Sequence, residues 1–313
     1  AIRYEVYGML LLLDGDWLQT DELYLIQTAS MTRNYKPVLP KNLDKFHKFP
    51  SNHAAPRPAL LRLDGRKLEA LFEPGNYVLA GKVAHLHAAL TFRPKKAMIL
   101  FNKLNAETMR REEESLPFKR DRLILWLDPY LAESDSTWLT AELDYWLEKG
   151  VSLVIVNNQA HFSMLRGKKV ISIAGPWLYT FNQWALAYYI EQGVQAFIPP
   201  YEISRQDLYR LTEYLPAQFF APIVFAYPDL FRIRADLSKK YGQANFIDRE
   251  NNTFRLIGKR DYSVVVPERP FSITDLVPNL KKQGFRRFIV DLSNAEPSKG
   301  LYRDIARAIE QGS

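Results

Sequence analysis

The chain has 313 residues, 47% of them hydrophobic and 25% charged, with a formal net charge of +7 and a pI near 9.3. That length can bury a large core and predicts two domains of ordinary globular composition. The absence of cysteine excludes disulfides, thiolate zinc sites, a cysteine nucleophile and a cysteine-ligated iron–sulfur cluster on this chain.

No apolar run approaches the ~20 residues that a membrane helix needs. The N-terminus lacks the basic flank, apolar core and small-residue cleavage site of a secretory signal, which predicts a cytoplasmic location. The basic excess permits contact with a polyanion such as RNA. Its clusters (Arg110–Arg111, Lys119–Arg122, Lys239–Lys240, Lys281–Lys282) fall at expected helix ends and loop edges, where solvated charge ordinarily lies.

Residues 1 to about 117 read as a small α+β domain. Tyr4 to Leu13 and Leu23 to Thr28 have strand character, and Tyr35 to Pro58, rich in Pro, Lys and Asn, reads as a long loop. Leu60 to Leu71, with Asp64-Gly65 at its centre, predicts a hairpin. Tyr77 to Leu90 and Ala97 to Phe101 are strand candidates. On such a strand His85 and His87 share a face and could hold a metal, although a third ligand is not apparent. Leu104 to Leu116 is a charged helix.

From Lys119 the pattern becomes regular. Leu123 to Leu127 is a buried strand ending at Asp128-Pro129, and Thr137 to Glu148 is a helix closed by Gly150. Val151 to Val156 is a strand ending in Asn157-Asn158, and Val170 to Ala174 another, broken by Gly175-Pro176. Phe181, Trp184, Ala185, Tyr188 and Tyr189 recur at three- and four-residue spacing, which predicts a helix with these residues on its apolar face. Gly193 stops that helix before the strand Val194 to Pro199. Ser204 and Asp207 are placed to cap the next helix, so a cap explains Ser204 better than a nucleophile does. Pro222 to Tyr227 is a strand, Phe246 to Ile257 a hairpin around Glu250-Asn251-Asn252, and Ser263 to Val266 a further strand. Ser272 to Gln283 is a helix ended by Gly284, before the strand Phe288 to Leu292.

Three segments share one formula: WLEKGVSLVIVNN, YIEQGVQAFIPPYE and LKKQGFRRFIVDLS each run from a helix end through Gly into a strand with a polar close. Repeating βα units predict an α/β fold, a TIM-like (β/α) barrel preceded by the small α+β domain, with a boundary between residues 117 and 118. About six βα strands are visible, so the barrel is incomplete or takes its opening strands from elsewhere. Asp128, Asn157, Asn158, Glu202, Tyr227, Glu268 and Asp291 would gather at the carboxyl-terminal rim, where barrels place their chemistry.

Asn157-Asn158, Asn182 with Leu186, Gly193-Val194 and Glu202-Ile203-Ser204 occur in an order that resembles the U-32 family of collagenase-like peptidases, across about residues 120 to 295. The resemblance implies a barrel and either peptidase activity or kinship with oxygen-independent hydroxylases of RNA bases or quinone precursors, which carry a four-iron cluster. With no cysteine after the Tyr227 strand, it implies a cluster-free accessory module of a larger protein or complex, partnered by a family paralogue or by RNA. An active peptidase is one alternative, and an RNA-binding partner of such a hydroxylase is the other. Water activation would fall to Glu202, Asp128 and Asp291, with His161 also at the rim. Substrate would meet Asn157, Asn158, His161, Tyr179, Asn182, Tyr201 and Tyr227, and of these aromatics Tyr179, Tyr201 and Tyr227, with Trp177, could stack a base. No metal ligand set or cofactor is expected.

Overall fold

The computed structural model describes residues 61–313 apart from 236, 238–244, 250, 260–261 and 313. The strands and loop expected before residue 61 lie outside the described residues. By contacts the chain divides into units Ala1–Arg57 and Pro58–Ser313, and the described residues all belong to the second.

A central sheet of nine strands organises this unit. Eight are parallel: β1 (Gly75–Ala80), β2 (Ala97–Phe101), β3 (Leu123–Leu127), β4 (Leu153–Val156), β5 (Ile171–Ala174), β6 (Val194–Phe197), β7 (Ile223–Ala226) and, last in sequence, β13 (Arg287–Leu292). Their order is β7-β13-β1-β2-β3-β4-β5-β6, and a parallel bridge between Phe197 and Phe220 links the end of β6 to the approach of β7. This is the cyclic order of a (β/α) barrel, as the repeat predicts. Every residue of β2, β3, β4, β5 and β7 is buried, which is why these strands, apart from Ser172 in β5, read as apolar runs.

Residues assigned above to a separate α+β domain supply β1 and β2, so the barrel sheet extends across the boundary drawn at 117. Both have strand character in the sequence, with four and five apolar residues, but their connections carry no glycine formula that would join them to the repeat. The hairpin expected around Asp64-Gly65 is instead helix α1 (Gly65–Leu71). The Asp64 carboxylate accepts from Arg66 N at 3.0 Å and starts a helix where a turn was expected. The strand expected from Tyr77 stops at Ala80, and His85–Ala89 is helix α2. His85 and His87 therefore do not share a strand face: His85 is buried beside Glu296 and His87 is exposed.

Among the described residues the other helices are α3 (Lys103–Arg111), α4 (Ser136–Glu148), α5 (Ala160–Leu165), α6 (Gln183–Glu191), α7 (Arg205–Leu211), α8 (Val277–Lys282) and α9 (Lys299–Gln311). Gly193 ends α6 with φ 91°, a left-handed conformation that favours glycine, and Gly150 and Gly284 repeat it at 104° and 96°. In α6 the expected apolar face is corrected. Leu186 and Tyr189 point into the core, while Trp184 and Tyr188 are about half exposed, at 50% and 47%, as is Phe181 just before the helix, at 38%. At the amino-terminal end of the barrel Arg287 is fully buried. It donates to the carbonyls of Phe72 and Gln218 and lies over the Phe72 ring.

Between β7 and β13 the chain inserts a second sheet. Strands β8 (Phe231–Ile233), β9 (Asn245–Ile247), β10 (Thr253–Lys259) and β11 (Tyr262–Pro267) pair antiparallel in the order β8-β11-β10-β9, and β12 (Phe271–Ser272) returns along β7. The expected hairpin is its β9–β10 pair, turning at Asn251 with φ 62°. Tyr262, Val264 and Val266 form a small core of their own with Tyr130 and Ile257 packed on it. Since Tyr130 follows β3, this core fixes the inserted sheet over one side of the carboxyl-terminal mouth. Among the described residues no helix is long and apolar enough to cross a membrane.

Candidate functional site

The carboxyl ends of β3 and β7 deliver two carboxylates to one cation. Arg232, on β8, donates from Nη1 to Asp128 Oδ1 at 2.8 Å and from Nε to Asp229 Oδ2 at 2.7 Å. Its guanidinium also lies over the rings of Trp177, at 5.1 Å, and Tyr262, at 4.8 Å. The other carboxylate oxygens are engaged as well. Tyr262 OH donates to Asp128 Oδ2 at 2.7 Å, Tyr130 N donates to Asp128 Oδ1, and Asn294 Nδ2 donates to Asp229 Oδ1. Burial opposes the Arg232 charge, but Asp128, Asp229 and Tyr262 together hold its pKa above the ordinary value. Burial, followed by the Asp128 charge, pushes the Tyr262 phenol up, so it is a proton donor here.

Asp291, near the end of β13, is 2% exposed and accepts from Tyr201 OH at 2.5 Å and from Ser293 N at 2.9 Å. Burial raises its pKa even though both hydrogen bonds favour the anion. Burial and the Asp291 charge together raise the Tyr201 phenol.

Beside this cluster a cleft of about 760 Å³ opens between the β1, β2, β3 and β13 loops and the inserted sheet. Two of its cations are neutralised locally: Lys82 pairs with Glu296, and Lys103 with Asp135. Across the mouth a shallower cleft of about 410 Å³ is lined by Pro129, the amides of Asn157, Asn158 and Gln159, and the rings of Trp177, Tyr179 and Tyr189. Tyr179 is 49% exposed, has φ 51° and stacks against Phe181. With Trp184 and Tyr188 these rings form an exposed aromatic patch next to the rim.

Of the candidates named from the sequence, Asp128 lines the larger cleft and Asp291 lies sealed beneath the mouth with Tyr201. Glu202 is exposed in the turn after β6 and lines neither cleft. Asn157 is buried. Its Nδ2 donates to Leu127 O, and its Oδ1 faces Gly175 so closely that a Cβ there would stand 1.9 Å away. Asn158 ties the rim to Pro129 O at 3.0 Å. His161 is fully buried, accepts from Asn157 N through Nδ1, and is held neutral by burial, with its pKa lowered to about 4. Asn182 caps α6, accepting from Trp184 N and Ala185 N. Tyr227 lies under Arg255, its ring 5.8 Å from the guanidinium. Glu268, expected at the rim, lies beyond β11 in the inserted segment.

Arg232, Asp229, Tyr262, Asn294, Arg255 and Lys259 are absent from the candidate set. All but Asn294 belong to the inserted segment or its entry. A three-residue strand such as β8 has no readable periodicity, so only the FRIR alternation of aromatic or aliphatic residues with arginine hinted at it. Among the described residues no group of three His, Cys, Asp or Glu side chains is arranged to hold a metal.

No protein-family model matches the chain, and no curated protein matches it. Solved structures similar to it include the spore cortex-lytic enzyme SleL of Bacillus megaterium QM B1551, at 10% identity and TM-score 0.39, covering 74% of this chain and 73% of that one. A chitinase from Chromobacterium violaceum ATCC 12472 is 12% identical with TM-score 0.39, over 75% and 98% of the two chains. The C-terminal domain of a putative chitinase from Desulfitobacterium hafniense DCB-2 is 8% identical with TM-score 0.41, over 76% and 99%. None of these is a U-32 peptidase, and the absence of any family match corrects that resemblance. The readings drawn from it fall with it: collagenase-like peptidase, cluster-free accessory subunit, and RNA-binding partner of a hydroxylase. The weak motifs behind it are accounted for locally, Asn182 and Ser204 as helix caps and Gly193 as a helix stop.

Proposed function

We propose that the protein is a carbohydrate-active barrel that holds a glycan on its carboxyl-terminal face and hydrolyses it at the Asp128–Asp229 pair. The observation that carries this reading is the convergence of two carboxylates, from β3 and β7, beside clefts lined by flat aromatic rings and side-chain amides. A sugar offers an apolar C–H face and a rim of hydroxyls. Rings such as Trp177 and Tyr179 suit the face, and the amides of Asn158 and Gln159 suit the hydroxyls. Hydrolysis adds water across the anomeric C–O bond. One carboxyl gives a proton to the departing oxygen, while the other takes a proton from water or bonds the anomeric carbon itself. Asp128 lines the larger cleft and is the group nearer the sugar; Asp229 lines neither cleft and shares its guanidinium.

One observation favours a second reading, a glycan receptor that does not cleave. Both carboxylates already accept N–H bonds from Arg232, so hydrolysis requires that guanidinium to move when sugar binds. Calorimetric titration with a panel of polysaccharide fragments, combined with an assay for new reducing ends, separates the two. Binding with product release that Asp128→Asn abolishes supports hydrolysis. Binding without product leaves the receptor, and no binding to any fragment removes both.

A further inference from the structure

The inserted sheet turns one face to the mouth, and that face carries two cations that make no ion pair among the described residues. In the β10–β11 register Lys259 is opposite Tyr262, Ile257 opposite Val264 and Arg255 opposite Val266. Paired residues share a face, and Tyr262 reaches Asp128, so Arg255, Ile257 and Lys259 face the mouth together. All three line the larger cleft.

Among the described residues, the charges that line the cleft pair off without these two. Its carboxylates are Asp128, Asp135 and Glu296, which are taken by Arg232, Lys103 and Lys82 in turn. Among the described residues neither the Arg255 nor the Lys259 side chain makes an ion pair or a hydrogen bond. Arg255 rests on the Tyr227 ring, and its Nε is buried without an acceptor. Burial lowers the Lys259 pKa, with the nearby Asp229 charge acting against that shift. A buried guanidinium nitrogen without a partner is costly, and an anion in the cleft would remove that cost.

We infer that the cleft takes an acidic glycan, whose carboxylate groups are received by Arg255 and Lys259. This rests on the glycan reading and adds the substrate class. Four residue steps along β10 carry the strand about 13 Å from one cation to the other. That spacing suits two acidic groups carried along one chain, as in a polyuronate, better than one carboxylate gripped by both. Arg255 is the specificity residue of the pair, because its fork can bind a carboxylate through two N–H groups.

The test is calorimetric titration of the full chain with an oligogalacturonate and with the neutral galacto-oligosaccharide of the same length. The acidic ligand is expected to bind at least about tenfold more tightly, and Arg255→Gln and Lys259→Met each to remove about tenfold of its affinity while leaving the neutral ligand unchanged. Arg255→Lys, which keeps the charge, should retain part of the preference. Equal affinity for both ligands, unmoved by the variants, would overturn the acidic assignment and leave the glycan reading standing. If the chain binds another glycan fragment but no acidic one, the acidic assignment has failed; if it binds no fragment of either kind, the glycan reading itself has failed.

Discussion

Arg232 Nη1 stands 2.8 Å from Asp128 Oδ1, although 104 residues of sequence separate them. The contact joins the inserted sheet to the barrel, and with Asp229 on the same guanidinium it forms a nearly buried triad. Such a triad is strongly asymmetric. Intact, it contributes little net stability; with its cation removed, two largely buried carboxylates keep their neutral hydrogen-bond donors but lose their counter-charge.

Arg232→Met is therefore expected to destabilise the protein by about 3–5 kcal/mol, read from urea unfolding at neutral pH. A change below about 1 kcal/mol would mean that the triad is solvated and that the inserted sheet does not depend on it.

His161 supplies a pH signature. Its folded pKa is about 4 against an ordinary 6.5, so the unfolded chain binds the proton more tightly. Stability from this group is complete above about pH 6.5 and is lost as pH falls toward 4, by roughly 3 kcal/mol in all. Urea midpoints measured between pH 7 and 4.5 should fall in the wild type and fall less in His161→Gln. Parallel curves for the two proteins would assign the acid sensitivity to other groups.

The sequence made the barrel readable where burial is uniform. LILWL and LVIV have no exposed face, and the Gly150, Gly193 and Gly284 formula marks three helix-to-strand turns by their left-handed backbone. Helix α9 was missed even though Ser298 caps it and Tyr302, Ile305 and Ile309 line its buried side, a pattern that was present to be read. The outward turn of Trp184 and Tyr188 was not readable, because periodicity shows that residues share a face and not which way the face points. Asp128 was legible as a strand-end carboxylate. Its partners were not, because Arg232 and Tyr262 come from an insertion whose register depends on pairing distant in sequence.

Gly175 tests how tightly the rim is built. A Cβ there would meet Asn157 Oδ1 at 1.9 Å and Ile155 Cγ2 at 2.9 Å. Gly175→Ala should displace the Asn157 amide from Leu127 O and cost about 1–3 kcal/mol, measured by thermal unfolding. An unchanged melting temperature would show that the β4–β5 rim gives way easily.

Trp184 is half exposed, so Trp184→Ala should alter stability by about 0.5 kcal/mol or less. If the aromatic patch carries sugar, the same change should weaken glycan binding about tenfold. A variant that loses stability while keeping its affinity would make the ring a packing element.

The most direct measurement is the rate of reducing-end release from a bound glycan by the wild type, Asp128→Asn, Asp229→Asn and the double variant. Carboxylates that act as one unit predict that each single change abolishes turnover and that the double change costs little more. Release at the wild-type rate by Asp128→Asn would contradict the account, because the bond would then break without the pair on which the proposal depends.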